Sequence, residues 1–172
     1  MAAFATIAVA HSTDGGRTFS DPVRVSADNW KLDACPDDGP AMTIDAQGAL
    51  YVVWPTLVKD PDGPRIAIFE TVSRDGGVTF SSRSRMDTAQ AAPSHPRIEM
   101  SADGQIVVAW DEIAQGVRRV MVRDGSAAAL PVSTGRADSY PALNRARSGV
   151  VAAWTDQVDD RSAIQVLRLP VR

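Results

Sequence analysis

The sequence predicts an all-β protein assembled from repeated hairpins, and three observations predict it. One segment recurs three times in fixed register, the runs inside it are rich in β-branched and aromatic residues, and no stretch keeps a 3.6-residue apolar period over three turns. The 172 residues amount to about one domain, if roughly 150 residues is the usual size. With 44% hydrophobic and 23% charged residues the composition is that of an ordinary globular chain.

The first copy runs from Gly39-Pro40 through Asp45 and Gly48 to Leu50-Tyr51-Val52-Val53-Trp54. The second runs from His95-Pro96 through Asp103-Gly104 to Ile106-Val107-Val108-Ala109-Trp110, and the third from Tyr140-Pro141 through Gly149 to Val150-Val151-Ala152-Ala153-Trp154. Proline to glycine spans 8 residues in all three, and glycine to tryptophan spans 6, 6 and 5. Proline has no N–H to give a ladder and can open a strand. The glycine supplies the positive φ of a tight turn, and the run after it reads as a buried strand. Trp54, Trp110 and Trp154 share one register position and therefore read as core.

A second element follows. Ser12-Thr13-Asp14-Gly15-Gly16-Arg17-Thr18-Phe19 and Ser73-Arg74-Asp75-Gly76-Gly77-Val78-Thr79-Phe80 share Ser-x-Asp-Gly-Gly-x-Thr-Phe, 61 residues apart. The aspartate can accept bonds from the following N–H groups, the glycines allow a left-handed turn, and the phenylalanine packs under an adjacent sheet. Val122-Arg123-Asp124-Gly125-Ser126 reads as a decayed third copy.

This element resembles the Asp-box, or bacterial neuraminidase repeat, of sialidase-like β-propellers, through Ser12, Asp14, Gly16, Thr18, Phe19 and Ser73, Asp75, Gly77, Thr79, Phe80. Trp30-Lys31-Leu32-Asp33-Ala34-Cys35-Pro36-Asp37-Asp38-Gly39-Pro40 is similar to a signature of bacterial sialidase-like proteins. With the hairpins, the resemblance covers nearly the whole chain. It implies four-stranded antiparallel blades around an axis, six in the family, with the boxes on the outer rim away from the substrate.

Placed on that frame, third- and fourth-type strands fall at about 5–10 and 23–26, complete blades at about 40–86 and 96–133, and three more strands at about 141–145, 150–154 and 163–169. The expected domain is a partial β-propeller over 1–172: half blade 1–38, blade 39–90, blade 91–135 and incomplete blade 136–172, about three to three and a half blades. Thirteen strands stand against the twenty-four of six blades, and two copies give twenty-six, not a multiple of four. The count favours half of a longer propeller, the N-terminal half missing, over a closed homodimer.

Composition excludes several classes. A net charge of -3 offers no basic stripe for nucleic acid. No apolar run approaches the ~18 residues of a membrane span. The single cysteine, Cys35, forms no internal disulfide, and two histidines, His11 and His95, make a histidine metal site unexpected, so no metal or cofactor is implied. Met1-Ala2-Ala3-Phe4 lacks the basic and apolar regions of a signal peptide, whereas the resemblance implies a periplasmic or secreted protein.

The residue before each repeat proline is expected at the central mouth: Gly39, His95 and Tyr140. The resemblance implies three arginines for a substrate carboxylate, an aspartate acid/base, and a tyrosine nucleophile assisted by a glutamate. Tyr140, heading the last hairpin, matches the tyrosine, with a structural tyrosine as the alternative. A phenol of pKa about 10 needs a neighbouring base. Glu112 and Glu99 are the candidates, Glu112 preferred, each alternatively a solvated rim charge. Arg97 faces either the mouth or a blade seam, whereas Arg118, Arg119, Arg145 and Arg147 read as surface charges. No Arg-Ile-Pro motif occurs. Asp37 and Asp38 form an acidic loop, for acid/base work or holding a cation, or alternatively for turn formation and solvation. His95 suits a proton carrier or a hydrogen-bonded structural role. Trp30, outside the tryptophan register, is a sugar-stacking candidate or a packed loop residue. Three functional readings follow: a glycan- or protein-binding module without a complete catalytic set, part of a sialidase-type glycoside hydrolase, and a fragment without independent activity.

Overall fold

The computed structural model describes residues 6–28, 38–61, 63–87, 91–135 and 137–169. Among the described residues thirteen strands form four antiparallel sheets. β1 (Ala8–Val9) pairs with β2 (Val23–Arg24). β3 (Ala41–Ile44), β4 (Leu50–Asp60), β5 (Gly63–Ser73) and β6 (Ser84–Arg85) follow in chain order across a second sheet. β7 (Ala92–Met100), β8 (Ile106–Ala114), β9 (Val117–Asp124) and β10 (Leu130–Pro131) repeat that order, and β11 (Ser139–Ala146), β12 (Gly149–Val158) and β13 (Arg161–Leu169) form a three-stranded sheet. The sheets are consecutive blades of a β-propeller, called here the first to the fourth. Among the described residues no helix is long and apolar enough to cross a membrane.

The second strand of a blade has neighbours on both faces, which is why Val52-Val53-Trp54 and Val107-Val108-Ala109-Trp110 are buried without alternation. Each tryptophan faces the preceding blade. Trp54 packs with Val25, Ile7 and Val9 of the first blade, and Trp110 with Val53, Ile68 and Met86 of the second. Trp154 packs with Val120 of the third. The short outer strands are pinned by a repeated bond, Val25 N to Ile7 O, Met86 N to Ile68 O and Val132 N to Val120 O, at 2.8, 2.9 and 2.9 Å. In two blades the next side chain caps the N–H left over: Ile68 N donates to Asp87 Oδ1 and Val120 N to Ser133 Oγ.

The same register shows which faces lack a neighbour. Trp54, Trp110 and Trp154 pair with Phe69, Met121 and Gln165, so Ile68, Val120 and Ile164 are equivalent. Ile68 and Val120 are 0% exposed, whereas Ile164 is 68% exposed. The face of the fourth blade that other blades bury is open among the described residues. Phe80 packs on the cluster around Trp54, but Phe19 is exposed, because its side of the first sheet has no neighbouring blade among the described residues.

Both Ser-x-Asp-Gly-Gly-x-Thr-Phe segments fold into one turn, each joining a third strand to a fourth. Asp14 Oδ1 accepts Arg17 N and Thr18 N at 3.0 and 2.9 Å, and Oδ2 accepts Thr18 Oγ1 at 2.7 Å. Ser12 Oγ donates to Asp14 Oδ1 and accepts Gly16 N. Asp75, Val78, Thr79, Ser73 and Gly77 repeat the pattern. Donors converging on the carboxylate, led by the Thr18 amide, hold Asp14 well below the usual carboxylate range, and those led by the Thr79 hydroxyl do the same for Asp75. Asp124-Gly125 occupies the corresponding turn of the third blade, with Ala127 N on Asp124 O.

Candidate functional site at the mouth of the blades

In an antiparallel blade the connection into the first strand and the hairpin between second and third strands share one end, and the serine–aspartate turns lie at the other. The first end carries the candidate residues. His95-Pro96 and Tyr140-Pro141 each form a bulge in a first strand. Ser94 pairs with Asp111 and Arg97 with Ala109, so two residues oppose Trp110; Ser139 pairs with Thr155 and Ala142 with Ala153, so two oppose Trp154. His95 and Tyr140 hold left-handed backbone, with φ of 53° and 55°. Such strain in a non-glycine residue persists only where surroundings enforce it, and it collects at functional sites.

The enforcing group is Asp111, a residue that the sequence reading passed over. It is 1% exposed. Its Oδ2 lies 2.7 Å from His95 Nδ1 and accepts Tyr140 N at 3.0 Å, while Oδ1 accepts Arg118 Nη1 at 3.0 Å. The His95 and Tyr140 rings stack with centroids 4.2 Å apart and planes inclined by 40°. A carboxylate only accepts, so His95 Nδ1 is the donor of its bond to Asp111. Tyr140 is 54% exposed above this buried base. Arg118, at the start of β9, is half-buried and also pins the incoming chain, since Asp138 N donates to its carbonyl. Asp38 joins from the second blade: its Oδ1 accepts His95 N at 2.5 Å.

The structure divides the sequence candidates. Asp38, His95 and Tyr140 come together. Glu112 does not join them, because it follows Asp111 on β8 and projects from the opposite face. Its Oε2 accepts Trp110 Nε1 at 2.8 Å, and burial, with Asp87 nearby, pushes its carboxyl up. It opens onto a cleft of about 220 Å³ shared with Gln115 and Arg119. Arg97 turns its guanidinium onto Pro96 O at 2.8 Å. Glu99 lies further along β7, accepting Met100 N, with Thr43 Oγ1 at 3.5 Å. Trp30, Cys35 and Asp37 lie outside the described residues. Position 111 continues the face of Val107 and Ala109, so an aspartate there in a buried register was the available signal for the missed residue.

Fold and mouth together define a β-propeller chain, and comparison with solved structures agrees. The Hadza microbial sialidase Hz136 matches with a TM-score of 0.66 and 15% identity over 95% of this chain. A protein of unknown function from Dyadobacter fermentans DSM 18053 matches at 0.60 with 18% identity over 94%, and a polysaccharide lyase of family PL25, an ulvan lyase, at 0.66 with 12% identity over 94%. The chain spans 38%, 48% and 46% of those three, less than half of each. No protein-family model and no curated protein matches it.

Proposed function

We propose that this chain is the sugar-facing arc of a carbohydrate-active β-propeller of sialidase type, about half of a six-bladed ring, and that it binds a glycan at the mouth formed by His95, Arg118 and Tyr140, with Asp38 behind His95. The observation that carries the reading is an exposed phenol standing on a buried, oriented imidazole: Tyr140 over His95, with Asp111 beneath. A half-open aromatic ring suits the C–H face of a pyranose, and the guanidinium and phenol beside it suit hydroxyl groups. The serine–aspartate turns, read as Asp-boxes at the far end of the blades, and the sialidase and lyase among the solved relatives support the same class. Trp30 is kept as a stacking platform and Arg97 as an accessory contact. Export to the periplasm or beyond belongs to this reading.

The test is a titration of the chain with sialyllactose and with ulvan oligosaccharides, followed by saturation-transfer NMR. Transfer to a sugar that disappears in Tyr140→Ala is expected. Absence of transfer from every saccharide, with the fold intact, sinks the proposal.

A second reading, part of a glycoside hydrolase, draws on the Asp111–His95 pair. An imidazole oriented by a carboxylate and stacked on a phenol supplies two of the groups that nucleophile activation uses. Its arginine triad and acid/base aspartate would come from other blades. Tyr140→Phe should then retain binding and abolish hydrolysis, and a surviving rate would refute the nucleophile. Light scattering separates both from an arc without activity of its own: a stable dimer means two arcs close on each other, and aggregation means the missing blades are required.

A further inference from the structure

His95 and Tyr140 are built alike. Both are left-handed, both precede a proline, both sit in a bulge opposite a core tryptophan, and both turn their own N–H out of the ladder. In each case that N–H is donated to a carboxylate of the preceding blade: Tyr140 N to Asp111 Oδ2 of the third, His95 N to Asp38 Oδ1 of the second. Asp38 stands two residues before Pro40, at the mouth entry of its own blade, and 57 positions before His95.

The bonds run in series. Asp38 accepts the His95 N–H, and Asp111 Oδ2 accepts from both the His95 ring and the Tyr140 N–H. Three blades are joined through the mouth by two carboxylates. A neutral acceptor would hold these amides less firmly, because an N–H bond to an ionised oxygen is shorter and about twice as strong. The left-handed turn at His95 decides which way its imidazole points, since φ at that residue sets the direction of its Cβ relative to β7.

We propose that Asp38 is a positioning residue: by clipping the His95 amide across the seam between blades, its carboxylate fixes the turn that lays the imidazole against Asp111 and beneath the Tyr140 ring. The consequence for binding rests on the mouth being the glycan site. Asp38 touches no sugar in this scheme and acts through His95.

The experiment compares Asp38→Ala and Asp38→Asn in the 172-residue chain by NMR of the His95 amide and imidazole protons, alongside the sialyllactose and ulvan titrations. Wild type should show a His95 amide shifted far downfield by its carboxylate partner and imidazole protons shielded by the Tyr140 ring. Asp38→Ala should move both sets toward unstructured values and weaken saccharide binding about tenfold. Asp38→Asn, which keeps an acceptor oxygen, should lie between. Asp45→Ala is the control, because Asp45 caps Gln47 N and Ala49 N at the opposite end of the same blade. It should lower the melting temperature and leave the His95 signals in place. Unchanged His95 signals in both Asp38 variants overturn the proposal, whatever the saccharide data. Shifted signals in a protein that binds no saccharide keep the clip and refute the glycan reading instead. If Asp38→Ala does not fold, the Asp38→Asn spectrum decides alone.

Discussion

Replacing Asp111 by alanine removes one acceptor from three donors, and the structure sets the size of the loss. Arg118 is half-buried and regains water, so its bond to Asp111 contributes little. The His95 ring nitrogen is buried and the Tyr140 amide partly so, so both lose more than Arg118 does. Each stranded donor costs about 1–3 kcal/mol. Two of them, with some relaxation of the bulges, give roughly 3 kcal/mol. For a chain of this length that is a fall in melting temperature of roughly 6–12 °C. Asp111→Asn offers one oxygen and one amino group to the same three donors, and should lose about half as much. Thermal and urea denaturation followed by tryptophan fluorescence measure it, with the exposed Asp160→Ala as a control expected within about 0.5 kcal/mol of wild type. An Asp111→Ala protein as stable as that control would mean that the carboxylate does not hold the mouth, and both the site and its clips would be wrong.

Other expectations follow from the same contacts. Val120→Ala should cost about 1–2 kcal/mol and Ile164→Ala under about 0.5 kcal/mol, because equivalent positions are buried in one blade and open in the other; equal losses in denaturation would mean that the β13 face is covered in solution. Glu112 has a raised pKa in the folded chain from burial, so its penalty is absent below the unfolded value near 4.5 and full above the folded one. Glu112→Gln should therefore stabilise at pH 7 by on the order of 1 kcal/mol, with the gain vanishing by about pH 4 in a pH series of melts. Asp75 is depressed instead, so its contribution is present above the unfolded value of 3.8 and lost as pH falls through the folded one. Asp75→Asn should lower the melting temperature at neutral pH and converge with wild type in strong acid; a constant difference across pH would deny the carboxylate that role.

The hairpins and the serine–aspartate turns were legible because their determinants are local. Pro96, Gly104 and Trp110 punctuate one hairpin within fifteen residues, and Asp75 bonds to Ser73, Val78 and Thr79, all within four residues of it. The division into sheets of two, four, four and three strands followed from counting such hairpins. The mouth was half legible. Repeat position alone put His95 and Tyr140 at equivalent places, yet the groups holding them come from 16, 29 and 57 residues away. Arg118 read as a surface charge because it opens a strand just after a hairpin, and only the sheet reveals Asp111 behind it. Phe19 and Phe80 are identical in sequence context and differ in burial, because a neighbouring sheet covers one and not the other.

The pairing of Tyr140 with Glu112 fails for a reason that a strand makes unavoidable. Successive side chains project to opposite faces, so the face that carries Trp110 toward the second blade carries Glu112 with it. Asp111, between them, looks toward the fourth blade and Tyr140. Moving Glu112 to the tyrosine needs a one-residue slip of β8, which would put Trp110 on the wrong face and dismantle the seam around Val53, Ile68 and Met86. If the whole propeller cleaves a glycoside, the candidate base that the structure sets against the Tyr140 ring is His95. His95→Gln should then lower kcat by about 10²–10⁴, whereas Glu112→Gln should leave kcat within about twofold. The reverse outcome would show that Glu112 reaches the reacting atoms and that the seam opens in the working enzyme.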